Sequence, residues 1–332
     1  ILDGRYGDGL MDFSDCDFSN FDFSSMSFYS VNFGNSTFTN ASFNDSSFSG
    51  GNFAQANLND ANFTRTSITD FQFFEANLIT ANFDYASITE SWFNGASFTG
   101  ASFTNTSLQR SYGWASDFSD VDLSTVVMTS VQFHNLTSCP SALPTEWVCL
   151  NQILLGPEAN LRNIDLSNLN FSGVNLTGAI LGGANLSNSL MQDANLNEAS
   201  GALILSCPQS LPDDWNCINH NLVGPSVVLK YADLSNQDLS LLNLKGISII
   251  LSNLTGTDFS NSALSEAYFA GNLVDTSSFL NSNMNAFTSM LLLDCPLPFP
   301  TYYTCPPDRT PPPHPTTSPP LTHTSPRPSP PP

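Results

Sequence analysis

The chain has 332 residues, 29 acidic and 8 basic, for a net charge of −21, with 41% apolar and only 11% charged side chains. That balance excludes a nucleic-acid binder that neutralises phosphates with a Lys/Arg-rich face, and it disfavours anionic membranes. A core can form, but no apolar run approaches the ~20 residues of a bilayer-spanning helix, so no membrane span is expected.

In chain order, the first residues are Ile1-Leu2-Asp3, with no starting Met, basic segment or apolar stretch. This start reads as a processed product or a fragment; a removed secretion signal would leave such a start, and an extracellular protein is expected. From Phe13 an apolar residue recurs at every fifth position: Phe13, Phe18, Phe23, Phe28, Phe33 and so on to Phe133. Of 25 consecutive slots only Gly113 fails. Two residues before each slot stands a small or apolar residue, such as Val31, Ala41, Ala56, Ala81 or Val121. The other three positions are mostly Asn, Asp, Ser, Thr or Gly. A period of five fits neither a helix nor a flat strand. It fits a chain that turns a corner every five residues, so that four units close a square coil. Coils stacked at strand spacing would bury the large residue and the small one two before it.

The units Ala56-Asn57-Leu58-Asn59-Asp60, Ala76-Asn77-Leu78, Ala184-Asn185-Leu186 and Ala194-Asn195-Leu196 resemble the A-[DN]-[LF]-x-x repeat of pentapeptide-repeat proteins. The resemblance covers most of residues 10–290. It implies an all-β fold, a right-handed quadrilateral β-helix. The Phe-rich beginning departs from the Ala/Leu pattern and admits a wider or less regular coil there. The register restarts over Leu161–Leu196 and again over Leu229–Met284. Six, two and three coils give a solenoid of roughly 11 coils, quasi-one-dimensional, whose ends need covers.

A second, longer repeat separates the arrays. Cys139 to Cys149 encloses Leu143-Pro144 and Trp147 and is followed by Gly156-Pro157. Cys207 to Cys217 encloses Leu211-Pro212 and Trp215 and is followed by Gly224-Pro225. Cys295 to Cys305 is a third, degenerate copy. Three equal spans closed by two Cys imply three local disulfides and an oxidising compartment. Cys16 occupies an inward small slot, as a buried free thiol or an intermolecular bridge. The expected organisation is a Phe-rich array over 1–137, a disulfide loop over 138–158 and a second array over 159–205. A second loop over 206–226, a third array over 227–290, a terminal loop over 291–306 and a polyproline II tail over 307–332 follow.

Ten Asn-x-Ser/Thr sequons fall at outward slots: Asn35, Asn40, Asn44, Asn62, Asn105, Asn135, Asn170, Asn175, Asn185 and Asn253. A repeat rich in Asn, Ser and Thr also makes sequons by chance, so they are candidates for N-glycosylation. Proline is absent before residue 140, and 16 of the 22 lie from Pro296 onward. Such a tail cannot build a core and favours polyproline II. Its Ser-Pro-Pro pieces resemble hydroxyproline-rich plant and algal wall glycoproteins. That resemblance implies hydroxylation and O-glycosylation at Pro311, Pro312, Pro313, Pro319, Pro320, Pro330 and Pro331 and sugars near Ser318 and Ser329. A flexible linker is the plainer alternative.

No catalytic constellation, phosphate loop or metal-ligand spacing appears, so no catalytic residue, metal or cofactor is expected beyond covalent glycans. Asp12, Asp17 and Asp22 precede successive centres and read as turn-stabilising side chains. The outward feature that stands out is aromatic. Residues 20 apart share a column, so Trp92 stacks below Tyr112, and Phe74, Asn94 and Trp114 form a column beside them. Phe74, Trp92, Tyr112 and Trp114 surround Gly113 as an exposed patch of the kind that marks an interface or stacks on a sugar. Alternatively, the coil deforms at Gly113 and one ring turns inward. The leading expectation is a secreted, non-enzymatic structural glycoprotein, the head-to-tail subunit of an extracellular fibre or matrix. The alternatives are a carbohydrate-binding or adhesion rod, an acidic DNA mimic, and an ice-binding solenoid.

Overall fold

The computed structural model describes residues 11–292. All regular structure among the described residues is β, in strands of two to six residues with no helix. The unit around Phe38 shows how five residues make one wall. The N–H of Thr37 donates to Cys16 C=O one coil below at 2.9 Å, and that of Phe38 to Asn57 C=O one coil above at 2.7 Å. Phe38 therefore points inward, fully buried. The chain then turns. Asn40 takes φ +58°, and the N–H of Ala41 closes the turn on Phe38 C=O at 2.9 Å. Positive φ at the third turn residue is what a type II turn requires, and Asn, Asp and Gly tolerate it best. Ala41 is the small inward residue that starts the next wall. At one corner of the early coils the strand runs through instead, as in Ser27–Asn32, Ser47–Asn52 and Ser67–Gln72.

Pairing along each wall is parallel and in register at 20 residues. One wall carries the rungs Asp12, Asn32, Asn52, Gln72, Trp92, Tyr112, Gln132, Asn160, Ile180, Ser200, Val228, Ser248, Tyr268 and Thr288. The solenoid thus has about 14 turns, not the roughly 11 expected. Counting only the unbroken arrays missed that the disulfide segments are themselves parts of turns. Ser138 pairs with Asp117 and Ala142 with Asp122, so two walls continue before the chain leaves the square. It returns with the N–H of Asn160 donating to Val131 C=O at 2.9 Å. The second interruption repeats the plan. Ser206 pairs with Asn185, Ser210 with Leu190 and Val228 with Ser200. At strand spacing, the rungs span about 60 Å along the axis.

The Phe-rich beginning keeps the same register as the rest. Phe23, Phe43, Phe63, Phe83 and Phe103 form one column, with centroids 5.3, 4.9, 4.8 and 5.0 Å apart and planes within 15° of parallel. Rings stacked at about the strand spacing need no wider coil, and neighbouring columns meet edge to face, the pairing that ring quadrupoles favour. Phe71 is a large ring buried in a slot that Val31 and Gly51 occupy in the coils below. Its column partner below is Gly51, whose added Cβ would lie 2.8 Å from the Phe71 ring and 2.3 Å from Val31 C=O. Gly51 therefore makes room for Phe71.

Candidate functional site

Two structures project from or line the walls: the disulfide hairpins and the aromatic cleft. Cys139–Cys149 and Cys207–Cys217 are bonded, with Cα atoms 6.1 and 5.9 Å apart. The third pair, Cys295–Cys305, and the Pro-rich tail lie outside the described residues. Each bonded loop feeds an antiparallel hairpin, Val148–Leu150 with Ile153–Leu155 and Asn216–Ile218 with Asn221–Val223. The two-residue tips, Asn151-Gln152 and Asn219-His220, have φ of +49° and +62°, and +44° and +60°. Two positive φ values in a two-residue loop fit the I′ turn that matches strand twist, and Asn favours it. The sequence carried this signal, Asn just after the second Cys, but the hairpin itself was not foreseen. Gly156 and Gly224 have no side chain because Trp147 and Trp215 lie on them. A Cβ there would stand 2.3 and 2.4 Å from the indole rings. Cys16 is a free, half-buried thiol whose Sγ is 3.3 Å from Ser14 C=O.

None of the ten sequon asparagines is buried, and they fall into three settings. Asn35, Asn40, Asn105 and Asn135 are exposed at corners with φ between +51° and +58°. Asn62, Asn170, Asn175, Asn185 and Asn253 precede a core residue, and the Oδ1 of each accepts the N–H two residues on, for example Thr64 at 3.0 Å. Asn44 follows a core residue and accepts from Arg65 at 3.0 Å.

Trp92, Tyr112 and Trp114 come together as the column register implies, but less exposed than expected, and Phe74 does not line the cleft they form. Trp92 and Tyr112 are stacked, centroids 6.2 Å apart and planes at 15°. Both are half-buried, as is Phe74, while Trp114 is 52% exposed. Neither Tyr112 nor Trp114 turns inward. Tyr112–Trp114 pairs in register with Gln132–His134, and the empty slot at Gly113 is filled from the next coil. A Cβ on Gly113 would meet the Phe133 ring at 2.4 Å. A shallow cleft of about 240 Å³ lies there, lined by Trp92, Asn94, Tyr112, Gly113, Trp114, Gln132 and His134. Asn94, Gln132 and His134 were not singled out from the sequence as a cleft, although their 20-residue offsets from Trp114 and Tyr112 hold the information. Burial pushes the pKa of the half-buried His134 below the usual histidine value.

The pentapeptide repeat region model matches residues 36–112, and the pentapeptide repeats (8 copies) model matches 12–45, 158–193 and 170–200. Residues 12–112 and 158–200 thus carry pentapeptide repeats. Solved structures similar to it include HetL, a pentapeptide repeat protein involved in heterocyst differentiation regulation from the cyanobacterium Nostoc. That match has 18% identity over 82% of this chain and 94% of that one, with a TM-score of 0.35. QnrB1, a plasmid-mediated fluoroquinolone resistance protein, is 14% identical over 85% and 92%, with a TM-score of 0.22. A pentapeptide repeat protein from the Arabidopsis thaliana thylakoid lumen is 30% identical over 36% and 75%, with a TM-score of 0.16. No curated protein matches the chain.

Within this pentapeptide-repeat solenoid the acidic residues do local work. The Oδ1 of Asp12, Asp17 and Asp22 accepts the N–H of Ser14, Ser19 and Ser24 at 2.9–3.0 Å, the turn-stabilising role expected of them. Asp122, Asp165, Asp233 and Asp238 repeat the bond with Ser124, Ser167, Ser235 and Ser240. The serine hydroxyl and then its N–H hold the carboxyls of Asp17, Asp22, Asp122, Asp165, Asp233 and Asp238 below the ordinary value of 3.8. No group of three or more potential metal ligands occurs among the described residues.

Proposed function

We propose that this chain is a secreted, non-enzymatic structural glycoprotein and the repeating subunit of an extracellular fibre or matrix. The observation that carries the reading is the pair of disulfide-closed loops, each feeding a hairpin, let into the wall of a rod. Local disulfides persist in oxidising compartments, where a structural rod gains from them. Sequon asparagines that are all outward-facing agree with a glycan coat. Assembly is supported by an apolar edge on the last coils. Tyr231, Leu251 and Leu291 are 59%, 50% and 66% exposed, and they follow residues that pair one above another in the same wall. Exposed apolar edges of this kind mark contacts between molecules. The Pro-rich tail supplies a connector of a composition suited to an extended segment. A head-to-tail contact that does not close generates a filament.

The test is negative-stain imaging of the native material, with intact mass before and after enzymatic and chemical deglycosylation. Fibres together with a large mass loss are expected. Single short rods at the bare protein mass would overturn both assembly and glycosylation.

A further inference from the structure

We propose that the cleft around Gly113 is a binding site for a neutral saccharide. It is built from two columns of three side chains on one wall. Trp92, Tyr112 and Gln132 form the first, and Asn94, Trp114 and His134 the second. Tyr112 and Trp114 flank Gly113 two residues apart in an extended strand, so both face outward, with Cα atoms about 7 Å apart. Tyr112 is stacked on Trp92, and the Trp114 ring beside it is 52% exposed, so the cleft offers aromatic surface on which the apolar face of a pyranose can lie. The floor is fixed, because the Phe133 ring occupies the space a side chain at position 113 would take.

The polar groups decide the ligand. The Oδ1 of Asn94 accepts the N–H of Trp114 at 3.0 Å, which turns the Asn94 amide NH2 outward as a donor. The Nε2 of Gln132 donates to Arg162 C=O at 3.0 Å, which leaves the Gln132 Oε1 as an acceptor. One committed donor and one committed acceptor on opposite columns suit hydroxyls, which both give and take hydrogen bonds. Asp, Glu, Lys and Arg are all absent from the lining, and the chain carries −21, so the site disfavours an anionic sugar.

The experiment uses the full chain, deglycosylated so that a sugar on Asn135 cannot cover the cleft. Cellotetraose, mannotetraose and xylotetraose are titrated separately, followed by tryptophan fluorescence and calorimetry. At least one is expected to bind and to shift the tryptophan emission. Trp114→Ala should weaken that binding at least tenfold, and Gln132→Leu severalfold, while Trp114→Phe stays within about threefold of the parent. Unchanged thermal midpoints show that the variants fold. The proposal is overturned if none of the three sugars binds at 10 mM. It is equally overturned if Trp114→Ala binds as the parent does, or if a synthetic peptide of residues 307–332 binds the cleft and the sugars do not. These outcomes are independent of whether the native material forms fibres.

Discussion

At the residue scale, the same turn position is occupied interchangeably by Asp and Asn. Both accept the N–H two residues on with Oδ1, as Asp122 does from Ser124 at 2.8 Å and Asn62 does from Thr64 at 3.0 Å. Only the Asp version titrates. Its folded pKa lies below the unfolded value, so its stabilisation is present above about pH 4 and is lost as pH falls through the lowered values. Stability measured in urea should therefore decline modestly below about pH 6.5, where protonation of His134 favours the unfolded chain, and fall further below about pH 4 as these carboxylates protonate. Replacing Asp17, Asp22, Asp122, Asp165, Asp233 and Asp238 together by Asn should leave neutral stability nearly unchanged and flatten the acid limb. An acid limb as steep as the parent's would show that these carboxylates are not its cause. The core responds differently. Phe63 is fully buried and lies 4.9 and 4.8 Å from Phe43 and Phe83, so Phe63→Ala should cost about 3–5 kcal/mol in urea unfolding.

At the scale of the element, the hairpins are insertions that the solenoid absorbs. Ser200 and its partner Val228 are 28 residues apart, where ordinary partners are 20 apart. The extra length is spent on a hairpin whose first strand is tied by a disulfide to the loop before it, with an indole laid on a glycine. Each bridge closes a loop of about ten residues and is worth about 2–3 kcal/mol in the loop-entropy model. Cys207→Ser with Cys217→Ser should lower the unfolding midpoint accordingly and open the second hairpin to protease at Asn219-His220. Gly224→Ala should have a related effect with the disulfide intact, because its methyl would collide with Trp215. Red-shifted tryptophan emission would report it, and an unshifted spectrum with unchanged protease resistance would refute the contact. The cysteine pairing was legible from equal spacings. The hairpin was not, since Leu150 to Ile153 reads as apolar residues around two polar ones and pairs only with itself.

At the scale of the whole molecule, the described residues present an apolar edge on the last coils and a cleft on the wall of the first half. If the edge carries assembly, Leu251→Asp with Leu291→Asp should abolish fibres in negative stain while solution scattering still shows a rod of about 60 Å. Fibres that persist would move the contact to the rod ends and the tail. Each turn packs only on its neighbours, so damage in one coil should remain local in hydrogen exchange.

The sequence by itself determined the square coil, because a five-residue period with one large and one small inward residue has few other ways to bury both. It also determined the column partners, because an in-register parallel stack converts a 20-residue offset into contact. It held the pairing of Cys139 with Cys149 and of Cys207 with Cys217, and the turn role of Asp12, Asp17 and Asp22, for the same local reason. The tertiary structure alone decided how the interrupted turns count. Whether Ser138 and Ser206 continue a wall depends on strand partners, not on their own residue type. It alone decided that Phe133 fills the place left by Gly113 and that Gly51 accommodates Phe71, since each is a fit between coils. It alone set Asn94 as a donor and Gln132 as an acceptor, because each amide is oriented by a backbone group that only the folded coil brings near.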